Sequence, residues 1–274
     1  MSSYGSDRVR VTLRRLVRLV VPDPCLACGL AHASASEPPL GLCSECRRRL
    51  RPAPETTCLG CGRPFDGAVD APTRCGACRR RPPAWEVLVW AWTYAEPLDT
   101  VVAGLKFGRL DYLGEALGQA AADVAGRRLR GPDVAVARCD AVVPVPLHWR
   151  RRMVRGFDQA ERIATGVADE LGLPLWSALR RRRATRPQSL EARAPRRRRL
   201  ADAFVCRYPE RIAGRRLLLV DDVLTTGATL DAAARTLVRG GARVAVLVVA
   251  RTPAPDESGV ETGRWRLASQ GLTS

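Results

Sequence analysis

Eight of the ten cysteines fall in four C-x-x-C pairs, Cys25/Cys28, Cys43/Cys46, Cys58/Cys61 and Cys75/Cys78, with gaps of 14, 11 and 13 residues between pairs. A C-x-x-C knuckle offers two thiolates to one cation, and two knuckles close a tetrahedral site of four cysteines. The pattern predicts two structural zinc ions. Sequential pairing (25, 28, 43, 46 and 58, 61, 75, 78) is the default, with a crossed pairing open. The segment needs such a device. Residues 22–83 are rich in Pro, Gly, Arg and Ala and poor in large apolar side chains, so burial alone does not fold them. Zinc contributes roughly 10–16 kcal/mol in small ribbons. The alternative, four disulfides in a secreted chain, fits poorly with the regular two-residue spacing. Cys139 and Cys206 stand apart and read as buried or incidental small hydrophobes.

The N-terminus holds a basic, apolar stretch, Val11 to Val21. Leu13, Leu16, Val17 and Val20 lie at i, i+3, i+4, i+7, one helix face. Arg14, Arg15 and Arg18 interrupt the run, and no small-residue cleavage site follows. The expectation is an amphipathic helix over residues 1–21, docked on the protein, in a cytoplasmic chain. No apolar run approaches the roughly 18 residues of a membrane span.

Beyond Cys78 the composition changes. Trp85–Tyr94, Asp140–Leu147, Arg215–Val223 and Arg243–Ala250 are strand-like, and helical stretches separate them. One of these is Phe157–Gly172, with Gly172 near its C-terminus. Strands alternating with helices predict an α/β fold with a parallel sheet covered on both faces. The expected organisation is an N-terminal helix (1–21), a double zinc ribbon (22–83), an α/β domain (84–255) and a C-terminal tail (256–274).

The chemistry concentrates in Leu217–Leu230, LLLVDDVLTTGATL. An apolar strand delivers Asp221 and Asp222 to its carboxyl end, where open α/β sheets bind ligands. A short loop follows, with Val223, Leu224, Thr225, Thr226, Gly227 and Ala228, and a helix starts near Thr229. Backbone N–H groups and a helix N-terminus suit an anion. The carboxylates can accept hydrogen bonds from sugar hydroxyls, at about 1.5–3 kcal/mol each. A phosphate and a diol one sugar apart describe a ribose 5-phosphate.

VDDVLTTGAT resembles the 5-phosphoribosyl-1-pyrophosphate (PRPP) motif of type I phosphoribosyltransferases. PVPLHWRRRMVRGFDQAERIA (144–164), Pro187-Gln188-Ser189 with RRRRLADAF (196–204), and GLKFGRLDYLG are similar to further blocks of one family. With the cysteine pairs, the whole resembles the ComF family, competence-associated proteins that join a double zinc ribbon to a phosphoribosyltransferase-like domain. Asp158 and Arg199 stand where that family usually has Asn, and Glu191 replaces a Leu. The resemblance implies that Asp221 and Asp222 hold the ribose hydroxyls and stabilise positive charge at C1. It implies that Val223 to Thr229 bind PRPP, with Thr225, Thr226, Gly227, Ala228 and Thr229 on the 5-phosphate and Mg2+ riding on PRPP oxygens. Arg150, Arg151, Arg152 and Arg155 follow the 140–145 strand, where type I enzymes have the pyrophosphate loop. Lys106, the sole lysine, reads either as a phosphate ligand or as an exposed helix lysine.

The formal net charge is +17, and residues 180–199 supply ten Arg against one Glu, +9 of it. Such a block reads as a mobile lid, a nucleic-acid grip or a solvated insertion. Two functions of different class follow. One is an enzyme transferring phosphoribose from PRPP to an unidentified nucleophile. The other is a non-catalytic DNA-handling or regulatory protein that retains the PRPP-binding fold. The expected partners are PRPP, single-stranded DNA and other DNA-uptake proteins.

Overall fold

The computed structural model describes residues 24–30, 40–65, 73–108, 110–129, 138–147, 153–182, 203–254 and 257. The predicted helix over 1–21, residues 183–199 of the Arg-rich block and the tail from 258 onward lie outside them. The elements in chain order are α1 (Ser44–Arg48), α2 (Gly76–Arg80), β1 (Val87–Thr93), α3 (Leu98–Phe107), α4 (Tyr112–Leu129), β2 (Ala141–Pro144), α5 (Gln159–Leu171), β3 (Leu179–Arg181), β4 (Phe204–Cys206), α6 (Pro209–Ile212), β5 (Arg216–Leu224), α7 (Ala228–Arg239) and β6 (Arg243–Arg251).

The parallel sheet has four strands in the order β1-β6-β5-β2, every neighbouring pair parallel. Its strands are near-continuous apolar runs because both faces are covered. Alternate residues divide between two cores. Leu218 and Val220 of β5, with Ala245 and Leu247 of β6, pack with Leu117 and Leu113 of α4 and Ile163 and Val167 of α5. Leu217 and Leu219, with Val244 and Val246, pack with Leu230, Ala233 and Leu237 of α7 and Phe204 of β4.

α4 and α5 approach almost backbone to backbone. A Cβ on Gly166 would lie 1.9 Å from Glu115 O, and one on Gly118 would lie 2.0 Å from Ile163 O. Only glycine fits both positions. This contact sets where α5 begins, and therefore where Gln159 sits. Asp158 caps α5 by accepting from Ala160 N (3.1 Å), and also accepts from Leu147 N (2.8 Å), which closes the loop after β2.

Both edges of the sheet are covered. Along β1, Pro52 bridges Trp92 antiparallel, Ala53 N donates to Ala91 O, Thr93 N donates to Arg51 O and Leu88 N donates to Leu59 O. Trp85 and Trp90 donate their indole N–H to Gly60 O and Gly62 O, both at 2.9 Å. Beyond β2, Leu175 bridges Val142, and Trp176 N donates to Val142 O.

Two expectations are corrected. Leu224, read as loop, and Val223, read at the junction of strand and loop, are ladder residues opposite Arg251 and Ala250; β6 is long enough to continue pairing past the carboxylates. Arg180 and Arg181, read as the start of a mobile block, lie in β3, paired antiparallel with β4. Leu179 and Phe204, 5% and 3% exposed, anchor that hairpin in the core, and three residues are too few to betray a period of two.

Candidate functional site

The cysteines form two clusters, Cys25, Cys28, Cys43, Cys46 and Cys58, Cys61, Cys75, Cys78, with all ligand atoms of a cluster within 4.8 Å of one another. The pairing is therefore sequential. A tetrahedral ion with Zn–S near 2.3 Å holds its sulfurs about 3.8 Å apart. Cys28 and Cys43 Sγ are 3.8 Å apart, as are Cys61 and Cys75 Sγ. Backbone N–H groups support the sulfurs: Cys43 N donates to Cys25 Sγ, Cys46 N to Cys43 Sγ, and Cys75 N and Gly60 N to Cys58 Sγ. The hydrogen bond with Cys61 leads in bringing Cys58 down to about 4. Burial, then the Cys58 charge, pushes Cys78 up to about 12. Four thiolates this close ionise together only around a cation, so the donor set fits two structural zinc ions. The zinc would be held by all four sulfurs, with no open position for catalysis.

The second site lies at the carboxyl end of β5. Asp221 is half-buried and Asp222 is 7% exposed. Asp222 Oδ2 accepts from Lys106 Nζ at 2.9 Å and from Gln159 Nε2 at 3.3 Å. Its Oδ1 accepts from Val223 N at 2.6 Å, and Asp221 Oδ1 accepts from Asp222 N at 2.9 Å. Burial, then the Asp222 charge, holds the Asp221 carboxyl well above the usual carboxylate range. The Tyr94 phenol is also raised, by burial and then by the charges of Asp99 and Asp222. Three elements thus converge here: β5 with the carboxylates, α3 with Lys106 and the first turn of α5 with Gln159. Gln159 is 5% exposed, and its Oε1 has no hydrogen-bond partner among the described residues. An orphaned acceptor beside a carboxylate needs a donor.

After Leu224 the chain turns outward. Thr225 and Thr226 are exposed, and Gly227 caps α7 at φ +70°, the left-handed region that favours glycine. Among the described residues no side chain caps the first turn of α7, so its N–H groups face outward with the positive end of the helix dipole. Asp231, the acid of that turn, is engaged elsewhere: it accepts from Ala84 N at 3.1 Å and pairs with Arg235 at 2.8 Å. It does not fill the cradle.

Of the arginines singled out after β2, Arg150, Arg151 and Arg152 lie outside the described residues. Arg155 lies over the Phe107 ring, 5.1 Å from its centroid, so it comes to the end of α3 that also carries Lys106. Lys106 meets a carboxylate rather than solvent, which neither reading of it foresaw. Gln159 carried no assigned role in the sequence; the signal available was its position in the RGFDQA block.

Comparison with known proteins gives the following. A double zinc ribbon domain model matches residues 16–81, and a phosphoribosyl transferase domain model matches residues 158–261. The chain is similar to DNA utilization protein YhgH of Escherichia coli strain K12, 35% identical over 227 residues, covering 82% of this chain and 94% of that protein. The protein of the same name in Salmonella typhimurium is 34% identical over 228 residues, with coverage of 82% and 94%. Competence protein F of Haemophilus influenzae is 28% identical over 220 residues, covering 79% of this chain and 91% of that one.

Proposed function

This chain belongs to the ComF family of competence-associated proteins, and from that premise we propose that it binds PRPP with Mg2+ at the end of β5 and serves the uptake or processing of single-stranded DNA. The observation that carries the PRPP reading is the juxtaposition of Asp221 and Asp222 with an uncapped helix N-terminus entered through Gly227. The α7 first turn and the Thr225–Thr229 loop take the 5-phosphate. The carboxylates take the ribose hydroxyls, and one hydroxyl proton satisfies Gln159 Oε1. Mg2+, when bound with PRPP, would supply positive charge that favours departure of the pyrophosphate.

Lys106 holds Asp222 while the site is free of ligand. Ribose hydroxyls compete for the same oxygen, and Lys106 is then released toward a phosphate. As anions, Asp221 and Asp222 stabilise positive charge growing at C1 as pyrophosphate leaves. The DNA reading draws support from the relatives' names and from the arginine excess. Structural zinc ions would hold the fold of the ribbon, whose backbone meets the β1 edge.

The test is titration calorimetry with Mg2+·PRPP on the parent and on the Asp221→Asn/Asp222→Asn double variant. Two charged hydrogen bonds at about 1.5–3 kcal/mol each predict a loss of roughly two to four orders of magnitude in affinity. Equal affinity in both proteins refutes the site. PRPP binding without pyrophosphate release, over a range of base and amine acceptors, favours a sensor over a transferase.

A further inference from the structure

The sheet has a second concave site at its other end. Arg216 opens β5 and Asp222 lies six residues on, about 20 Å away at roughly 3.3 Å per residue. Beside the opening end, against the β2 edge, is a groove of about 610 Å3 lined in part by Trp176, Tyr208, Glu210, Arg211, Ile212 and Arg215. Ile212 forms an apolar floor, 1% exposed, while Trp176 is half-buried and Tyr208 is 40% exposed.

The charges of the lining are divided. The guanidinium group of Arg211 lies 5.4 Å from the Tyr208 ring centroid and that of Arg207, just outside the lining, 5.5 Å, and neither meets a carboxylate among the described residues. Arg215 does, pairing with Asp140 at 3.2 Å, and Glu210 adds one negative charge to the lining. Arginines then continue along the chain, over a buried ring. Arg207 N donates to Ala178 O, which joins the groove wall to the β3–β4 hairpin. On that hairpin Arg181 lies over the Phe204 ring at 5.3 Å, and Arg180 is exposed.

We propose that this groove, continued along the β3–β4 hairpin, is the surface that grips single-stranded DNA. It rests on the DNA-handling reading above and adds where the strand lies, remote from Asp221 and Asp222. Guanidinium and aromatic planes offer stacking faces to unpaired bases, and the same guanidinium groups meet phosphates. The groove has room for an unpaired base. Arginines that continue along the hairpin, Arg180 and Arg181, favour a strand over a lone nucleotide. Stacking is indifferent to base identity, so sequence preference is weak.

The experiment uses the zinc-loaded full chain and a fluorescent (dT)12 oligonucleotide, read by anisotropy across a salt series. The variants are Tyr208→Ala, Tyr208→Phe and Arg207→Gln/Arg211→Gln, all at exposed positions; zinc content and melting temperature check folding. Tyr208→Ala is expected to weaken binding roughly tenfold to a hundredfold, and Tyr208→Phe to retain it. The double Arg variant flattens the slope of log K against log salt by about 0.7 for each phosphate it no longer neutralises. Asp221→Asn/Asp222→Asn leaves DNA affinity unchanged. A parent that binds (dT)12 while all three groove variants bind equally well overturns this surface and leaves the DNA reading standing. A parent that does not bind at low salt overturns both. Thymidine monophosphate competing as well as the oligonucleotide overturns the strand in favour of a mononucleotide pocket.

Discussion

The cysteine-rich segment and the parallel sheet reach order by opposite routes. The sheet buries nearly every side chain of β5 and β6, with Leu217, Leu218, Leu219 and Val220 all at 0% exposure. Its stability is spread over many contacts, each modest. The ribbon has short helices of five residues, α1 and α2, and its most buried side chains include its own ligands: Cys25 and Cys46 at 2%, Cys58 at 0%. Its stability is concentrated in two points. The difference teaches where each is vulnerable: the sheet to shape, the ribbon to loss of an ion.

The sharpest break of that contrast is removal of metal. Two Zn2+ per chain are expected by elemental analysis, and a strong chelator is expected to unfold the ribbon, since metal binding there carries about 10–16 kcal/mol per site. Helix and strand signal from the sheet should outlast it in circular dichroism. Fewer than one zinc per chain, with disulfides found under native handling, overturns the premise. A smaller effect comes from shape alone. Gly166→Ala drives a methyl into Glu115 O, so α4 and α5 must separate; a loss of about 1–3 kcal/mol in denaturant unfolding is expected, with zinc content unchanged. PRPP affinity should fall as well, because Gln159 rides on α5. An Ala variant as stable as the parent would show that the two helices do not meet this way.

The smallest effect lies within the sheet, at the one end not optimised for stability. The folded pKa of Asp221 is raised above its ordinary 3.8. An acid raised on folding contributes its stability below the unfolded value and loses it as pH rises through the folded value. Asp221→Asn is therefore expected to raise the melting temperature by about 2–4 °C at pH 8, and by progressively less as pH falls toward 4. A difference independent of pH, or a lower melting temperature, would contradict this.

What was legible in the sequence follows the same division. Ligand spacing names the ribbon outright, because C-x-x-C is local and chemistry-specific. The buried parallel strands are equally plain, because both faces demand apolar side chains. The two carboxylates and the loop that contains Gly227 were readable for the same local reason. Lys106 and Gln159 were not assigned their part. They lie 116 and 63 residues from Asp222 in sequence, and only the packing of α3 and α5 unites them. The β3–β4 hairpin was lost inside an arginine-rich stretch whose composition outweighs a three-residue pattern.

The coverage of the β1 edge has a consequence for how this protein fails. Arg51, Ala53 and Leu59 occupy backbone groups that an edge strand otherwise offers to any passing chain. Their segment is held in place from the far side by the Cys58 cluster, and Arg251, at the end of β6, donates to Cys61 O at 3.1 Å. A bare edge templates pairing with a second copy. Metal starvation therefore does more than erase a small appendage: it converts a finished sheet into an adhesive one, and newly made chains meet that hazard until their first ions arrive.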